Sequence, residues 1–203
     1  MINAVSLAGF RAVLFDLDDT LYRAADFEHQ ADVAVADFLA GVAGLDPEHV
    51  IREAEDARRS GWSGYLDRWI AALELSPSTV LDALEVRRRL EPILNLRPGV
   101  GDLLDGLIAD GLSIGVVTNG DRQQQANKVA SLGLIERYGI HVEYAADSVP
   151  KPAPAALERA LGALAVEPAE AVFVGDAESD RRCAAAAGVS FVWAAEIFGP
   201  LTS

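Results

Sequence analysis

Short apolar segments, each long enough for one β-strand, recur along the chain. They comprise residues 12–15, 113–117, 140–144, 171–174 and 190–193. Most of them lack the alternation of polar and apolar residues found in half-exposed strands, so we expect strands that are covered on both faces. Between the last four segments, apolar residues recur at helical spacing, as with Leu157, Leu161 and Leu164 within residues 153–165. The pattern predicts an α/β fold with a parallel sheet and helical connections.

The interval between the first two apolar segments breaks this pattern. Residues 24–95 contain no strand pattern, but they contain four amphipathic stretches that predict helices. These stretches are residues 27–38, 47–59, 65–75 and 79–94. Glycine and proline residues separate them from one another. We therefore predict an all-helical domain formed by residues 22–95, inserted into an α/β core domain formed by residues 1–21 and 96–203.

Composition and charge exclude several classes of protein. Hydrophobic residues form 51% of the chain and charged residues 24%, which is typical of a globular protein and not of a disordered one. The 17 basic and 31 acidic residues give a net charge of −14, so binding to a nucleic-acid polymer is disfavoured. The only basic run, residues 87–89, would present its side chains in three directions on a helix, and we expect these arginines to be solvated.

The cysteine and histidine content limits the metal chemistry that the chain can support. Cys183 is the only cysteine, so an internal disulfide and a metal site built on several thiolates are both excluded. The three histidines lie far apart in the sequence, which leaves metals with oxygen ligands. Residues 1–10 lack a secretory signal pattern, and no apolar run approaches ~18 residues. We expect a cytoplasmic protein, monomeric or homodimeric, with no membrane partner.

Three acidic residues, Asp16, Asp18 and Asp19, directly follow the first predicted strand. Ligands of open parallel sheets bind at the carboxyl ends of the strands, which is where these carboxylates would lie. Without a cation, burial and mutual repulsion would raise the pKa of at least one of them, so the cluster predicts either a divalent metal or a shared proton. The alternative is that these acids only cap the helix that follows.

Polar residues also follow the second, third and fourth predicted strands. They are Thr118 and Asn119, then Lys151 between two prolines, then Asp176 and Asp180. The groups after the second strand could hold an anion together with the backbone N–H groups of the next helix. Each position also has a purely structural interpretation. Asn119 could be the N-cap of an ordinary turn, Lys151 a solvated lysine, and the acids partners of a helix dipole.

Taken together, the four strand ends resemble the motifs of the haloacid dehalogenase superfamily. Its four motifs are matched, in order, by Asp16-x-Asp18-x-Thr20, Thr118, Lys151 and Gly175-Asp176-x-x-x-Asp180. The resemblance implies a Rossmann-like parallel sheet in the strand order fifth-fourth-first-second-third. It also implies that the inserted helices form a cap of the C1 type. In that strand order the carboxylates of the first and fourth motifs would converge.

The resemblance further implies hydrolysis of phosphate monoesters through an aspartyl-phosphate on Asp16. This reaction needs rate enhancements approaching ~10²¹, whereas one general acid supplies ~10² to 10⁴. A carboxylate nucleophile that splits the reaction into two steps is therefore suitable. Asp18 would protonate the leaving alkoxide and later deprotonate the attacking water. With Lys151, these residues form the implied catalytic set.

The same resemblance implies Mg²⁺ as the cofactor and a small phosphorylated metabolite as the substrate. The implied metal ligands are Asp16, Asp18 through its backbone carbonyl, Asp176 and Asp180. The implied phosphate-binding residues are Thr118, Asn119 and Lys151. Asp180 would either hold a metal-bound water or orient Lys151.

Several other functions are known for proteins with similar motifs, and the sequence argues against some of them. Asp18 argues against a dehalogenase, whose halide leaving group needs no proton. The absence of lysine from residues 24–95 argues against a phosphonate-cleaving relative that uses a cap lysine. A sugar phosphomutase would use the same aspartyl-phosphate and stays open, as does a non-catalytic phosphate-binding or signalling module. A response-receiver domain is disfavoured, because its acid pair and its phosphoacceptor lie on different strands.

Residues of the cap would set the substrate specificity. Arg23, Trp62, Tyr65 and Arg68 are candidates because they lie near a hinge or on glycine-flanked stretches. Aromatic residues at such positions more often form packing contacts. The amphipathic pattern does not indicate which helix face points towards Asp18.

Overall fold

The computed structural model describes residue 7 and residues 9–61 and 63–201. It divides into two compact units. The first unit comprises Met1–Ala24 and Ile93–Ser203, and the second comprises Ala25–Pro92. The candidate Trp62 lies outside the described residues.

The first unit contains a five-stranded parallel sheet. Its strands are β1 (Ala12–Phe15), β2 (Ser113–Thr118), β3 (His141–Tyr144), β4 (Ala171–Gly175) and β5 (Ser190–Trp193). The order in the sheet is β3-β2-β1-β4-β5, and Phe15 at the end of β1 is in register with Val116 and Val174. The predicted α/β class and the strand order implied by the family resemblance are both confirmed.

Helices connect the strands and cover the sheet. They are α5 (Val100–Ala109), α6 (Arg122–Ser131), α7 (Leu134–Tyr138), α8 (Ala155–Leu164), α9 (Glu178–Ala187) and α10 (Ala194–Phe198), following the four helices of the second unit. Every residue of β1 and β4 is buried, which explains why these strands show no alternation of polar and apolar residues. At Gly115, an added Cβ would lie 3.3 Å from both Leu14 and Leu164 side chains, so the small residue permits close packing of α8 on the sheet.

The second unit is entirely helical among its described residues. Its helices are α1 (Ala24–Ala43), α2 (Pro47–Arg59), α3 (Tyr65–Ala72) and α4 (Thr79–Arg89). Trp69 is fully buried in their core, and its indole N–H donates to the carbonyl of Val50 at 2.8 Å. The predicted stretches 65–75 and 79–94 extend too far. Helix α4 ends at Arg89, and Leu90 is extended with a ψ of 128°. Pro92 disfavours the α conformation of the residue directly before it, Glu91, so a helix could not continue to residue 94.

Arg87 corrects the expectation that the basic run is solvated. Arg88 and Arg89 are exposed and pair with Glu85 on their own helix, but Arg87 is buried. Its guanidinium pairs with Glu28 at 2.7 Å and donates to the Tyr65 hydroxyl at 2.5 Å. The three side chains point in different directions, as expected, and one of these directions is the core of the helical unit.

Two of the residues considered for specificity, Tyr65 and Arg68, have structural contacts inside the helical unit. Tyr65 is buried beside Arg87, and Arg68 donates to the backbone carbonyls of Ala57 and Ser63. Arg23 is exposed. Tyr65 and Arg68 are therefore engaged in packing, the more common role for such positions. No helix in the described part of the chain has the length and apolar character needed to cross a lipid bilayer.

Candidate active site

A pocket of about 200 Å³ lies at the carboxyl ends of the central strands of the sheet. It is lined by Asp16, Asp18, Asp19, Asn119, Lys151, Asp176, Ala177, Ser179 and Asp180. The chain after β1 runs to β2 on one side, while β4 lies on the other side of β1, so the pocket sits where the strand order reverses. Such a crevice is the usual ligand site of an open parallel sheet.

The loop after β1 places its acids in different environments. The backbone N–H of Asp16 donates to Val174 on β4 at 2.9 Å, which continues the pairing of the sheet by one residue. Asp19 then adopts a left-handed backbone conformation, with a φ of 55°. Its carboxylate accepts a hydrogen bond from the backbone N–H of Ala24 at 2.9 Å. Helix capping, the structural alternative for this cluster, therefore applies to Asp19.

Lys151 joins two buried carboxylates at the floor of the pocket. Its ammonium group donates to Asp16, to Asp180 at 2.8 Å and to the carbonyl of Val117 at 2.9 Å. Lys151, Asp16 and Asp180 are each less than 8% exposed. Of the two positions considered for Asp180, the structure has its carboxylate against Lys151.

Gly175 allows Asp180 to approach the end of β4. A Cβ at this position would lie 2.6 Å from Asp180 Oδ2, a distance that no side chain could accept without a shift. The same Oδ2 accepts a hydrogen bond from the backbone N–H of Ala177 at 3.1 Å. The aspartate thus both caps α9 and reaches Lys151, and glycine is needed beside it.

Two carboxylates of this pocket, those of Asp16 and Asp176, have strongly raised pKa values. Burial raises the pKa of Asp16 to about 7, helped by the nearby charge of Asp180 and opposed by Lys151. Burial and the charges of Asp180 and Asp19 raise the pKa of Asp176 to about 6. Negative charge therefore accumulates in the pocket beyond what one lysine neutralises.

The arrangement fits a divalent cation. Carboxylate oxygens of Asp16, Asp176 and Asp180 lie within 4.8 Å of one another, and hard oxygen ligands of this kind suit Mg²⁺. A cation there would relieve the repulsion that raises the two pKa values. The carboxylate of Asp18 is paired with Lys128, which leaves its backbone carbonyl for the implied metal role.

Asp18 is surrounded by donors that the sequence did not reveal. Lys128 donates to its Oδ1 at 2.7 Å, the Tyr22 hydroxyl donates to the same oxygen, and Gln125 donates to Oδ2 at 2.8 Å. Burial favours a higher pKa for Asp18, but the charge of Lys128 and these hydrogen bonds outweigh it and lower the pKa below its ordinary value. The available signal was that Gln125 and Lys128 lie three residues apart, on one face of α6.

Asn119 connects the second and third motifs. Its Oδ1 accepts from the backbone N–H of Lys151 at 2.9 Å, and its Nδ2 donates to the carbonyl of the same residue at 3.1 Å. Thr118 is buried and accepts from Gln125 at 2.6 Å. The N-cap of α6 is Asp121, so the interpretation of Asn119 as a helix cap is wrong.

The chain is similar in sequence and in fold to hydrolases of known family. The model of the family described as haloacid dehalogenase-like hydrolase matches residues 10–188. A phosphoglycolate phosphatase of Yersinia pseudotuberculosis is 31% identical over 197 residues, which cover 91% of this chain and 80% of that protein. A solved HAD-superfamily hydrolase of subfamily IA from Geobacter sulfurreducens has a TM-score of 0.67 at 27% identity, covering 93% of this chain and 89% of that one.

A further solved structure shares the fold alone. It is a candidate β-phosphoglucomutase from Thermotoga maritima, with a TM-score of 0.69 at 20% identity, covering 93% of this chain and 96% of that one. The motifs, the fold and the match to the family model all indicate the same family. The chain belongs to the haloacid dehalogenase-like hydrolase family. It is an enzyme, a hydrolase of the phosphatase type.

Proposed function

We propose that this phosphatase is Mg²⁺-dependent, and that it hydrolyses a small phosphorylated metabolite through an aspartyl-phosphate on Asp16. The observation that carries the proposal is the surroundings of Asp16. Its buried carboxylate contacts Lys151, lies within 4.8 Å of the metal-ligating oxygens of Asp176 and Asp180, and opens into the same pocket as Asp18. A nucleophile, a cation site and an acid/base group are thereby close together.

In the first step, an oxygen of Asp16 forms a bond to the phosphorus of the ester. The bond between phosphorus and the ester oxygen breaks, and its electron pair stays on that oxygen, which takes a proton from the carboxyl group of Asp18. The arriving phosphoryl group carries negative charge, which raises the pKa of a neighbouring carboxyl and lets Asp18 hold that proton. The alcohol then leaves.

In the second step, a water oxygen forms a bond to the same phosphorus and gives a proton to the carboxylate of Asp18. The bond from phosphorus to Asp16 breaks, and its electron pair returns to the Asp16 carboxylate as phosphate is released. Lys151 keeps Asp16 oriented and offers positive charge to the phosphoryl oxygens, with Thr118 and Asn119 at the neighbouring strand end. Asp16, Asp176 and Asp180 would hold Mg²⁺, which supplies charge neutralisation for the approach of one anion to another.

The helical unit is proposed to be the cap of this enzyme. It is inserted directly after the loop that carries Asp16 and Asp18, and we keep the domain limits of residues 22–95 for the cap and residues 1–21 and 96–203 for the core.

The test is release of phosphate from a panel of monoesters, with phosphoglycolate first because the Yersinia relative bears that name. We expect repeated turnover with Mg²⁺, loss of activity with EDTA and recovery when Mg²⁺ is restored. Conversion of a sugar phosphate to its isomer would identify a mutase instead. A single phosphorylation without turnover would identify a signalling module, and a folded protein inert towards every ester would refute the proposal.

Mg²⁺ is expected to stabilise the protein more at pH 8 than at pH 5. The pKa values of Asp16 and Asp176 are raised from 3.8 to about 7 and about 6, so the folded chain retains protons that the unfolded chain releases. Without metal, these groups therefore make stability fall as the pH rises from about 4 to about 7. At ten times its Kd, Mg²⁺ adds about 1.4 kcal/mol, or about 3–6 °C of Tm for a chain of this size.

The variant Asp176→Asn tests whether Asp176 contributes to the raised pKa values and to the binding of Mg²⁺. Because it removes a carboxylate whose pKa is raised, this variant should be more stable than the wild type at pH 8 without metal, and it should lose the Mg²⁺-induced shift in Tm. Asp105→Asn makes the same change of charge at an exposed position and should keep the shift. An unchanged Mg²⁺ response in Asp176→Asn would remove Asp176 from the metal site.

A further inference from the structure

The carboxylate of Asp18 is held on both of its oxygens by side chains of the first compact unit. Lys128 and Tyr22 donate to Oδ1, and Gln125 donates to Oδ2 at 2.8 Å. Gln125 also contacts the hydroxyl of Thr118 at 2.6 Å. The side chain of Asp18 is therefore fixed relative to the second strand end, 100 or more residues away in sequence.

A buried lysine at this place is costly for stability. The Lys128 side chain is 5% exposed, and an ammonium group removed from water must recover its hydration energy from its partner. Buried ion pairs are often no more stabilising than apolar residues of the same size. The chain has only two lysines, and both are buried against the acid pair of the first motif, Lys151 on Asp16 and Lys128 on Asp18. Packing alone does not account for this placement.

We propose that Lys128 is a positioning residue for Asp18, which together with Gln125 holds the acid/base carboxyl in the orientation needed for proton transfer to the leaving oxygen. The inference rests on the proposed function and deepens it. An acid/base group must stay within about 2.6–3.2 Å of the atom that exchanges the proton, and a free aspartate side chain rotates about two bonds. Lys128 acts through Asp18, to whose Oδ1 it donates at 2.7 Å.

The decrease in activity caused by replacing Lys128 should be larger for a leaving group that needs protonation than for one that does not. Phenyl phosphate and p-nitrophenyl phosphate are similar in size, but p-nitrophenolate leaves readily without protonation and phenolate does not. The value of kcat/KM reports on the steps up to transfer of the phosphoryl group to Asp16, so it isolates the acid role of Asp18. General acid catalysis contributes about 10² to 10⁴ in rate, and misplacing the acid forfeits part of that factor.

The experiment compares kcat/KM for the two esters, with Mg²⁺, in wild type, Lys128→Met, Lys128→Arg and Gln125→Leu. In Lys128→Met we expect phenyl phosphate to lose at least about tenfold more than p-nitrophenyl phosphate. Lys128→Arg keeps the cation and should recover part of that difference. Gln125→Leu should widen the ratio too, because it frees Oδ2, and it provides the test if Lys128→Met does not fold. Gln123→Met, at an exposed position of the same helix, should leave the ratio unchanged.

The outcomes separate this inference from the proposed function. A folded wild type with no phosphatase activity on either ester or on any ester of the panel would remove both. An active wild type, an inactive Asp16→Asn and a folded Lys128→Met that loses activity equally on both esters would overturn the positioning role and leave the proposed function intact. Equal losses would mean that Lys128 only supports the structure of the pocket.

Discussion

Asp16→Asn is expected to abolish turnover, with kcat/KM for p-nitrophenyl phosphate reduced by about 10³- to 10⁶-fold, as for the loss of other covalent nucleophiles. The amide keeps the shape of the side chain and can still accept a hydrogen bond from Lys151. It cannot form the acyl-phosphate bond, because its nitrogen and oxygen are poor nucleophiles. Phosphorus-32 from a labelled substrate should therefore remain on the denatured wild-type protein during turnover and be absent from the variant.

Stability and a neighbouring acid provide the controls. Asp16→Asn removes a carboxylate whose pKa is raised to about 7, so the metal-free variant should be no less stable than the wild type at pH 8. Asp19→Asn changes another acid of the same loop. Its amide oxygen can still accept the hydrogen bond from Ala24, so the variant should lose about 0.5 kcal/mol of stability or less, and less than tenfold in activity. Activity of Asp16→Asn within tenfold of wild type would exclude Asp16 as the nucleophile.

The sheet was predictable because buried parallel strands appear in the sequence as short apolar segments separated by helical patterns. The strands coincide with short, mainly apolar segments, and the structure moves the ends by one residue at most. Helix ends were less predictable. The sequence pattern carried α4 to residue 94, whereas the helix ends at Arg89, before Pro92. Strand order came from the family resemblance, since spacing along the chain does not determine it.

The candidate site was predictable where its residues lie in the segments that follow the carboxyl ends of the strands. Asp16, Asp176 and Lys151 reach one pocket because parallel strands end at the same edge. Lys128 escaped prediction because its partner Asp18 is 110 residues away and the polar face of α6 has no pattern that distinguishes it from a solvated face. Arg87 was misjudged for the same reason, since a helix periodicity does not indicate which polar side chain finds a buried partner.

Lys151→Met is expected to damage both stability and activity. It leaves Asp16 and Asp180 buried without their shared cation, and removal of one partner of a buried ion pair costs about 3–5 kcal/mol. Without the ammonium group the pKa of Asp16 rises above its present value of about 7, so the folded variant holds a proton that the unfolded chain releases above its ordinary pKa of 3.8. The loss of stability should therefore be larger at pH 8 than at pH 5, with the increase beginning near pH 7, where Asp16 of the wild type ionises and Asp16 of the variant does not.

Chemical denaturation of the metal-free protein at the two pH values measures this loss, and Lys128→Met is the matched substitution. Lys128 is buried, but its partner Asp18 is 33% exposed and keeps the hydrogen bonds from Tyr22 and Gln125, so the removal of Lys128 should cost less than the removal of Lys151. Mg²⁺ should recover part of the stability of Lys151→Met, because it supplies the missing positive charge, but not the activity, because Lys151 also orients Asp16 and the phosphoryl oxygens. A pH-independent loss equal to that of Lys128→Met would mean that Asp16 and Asp180 do not depend on Lys151 for their charge.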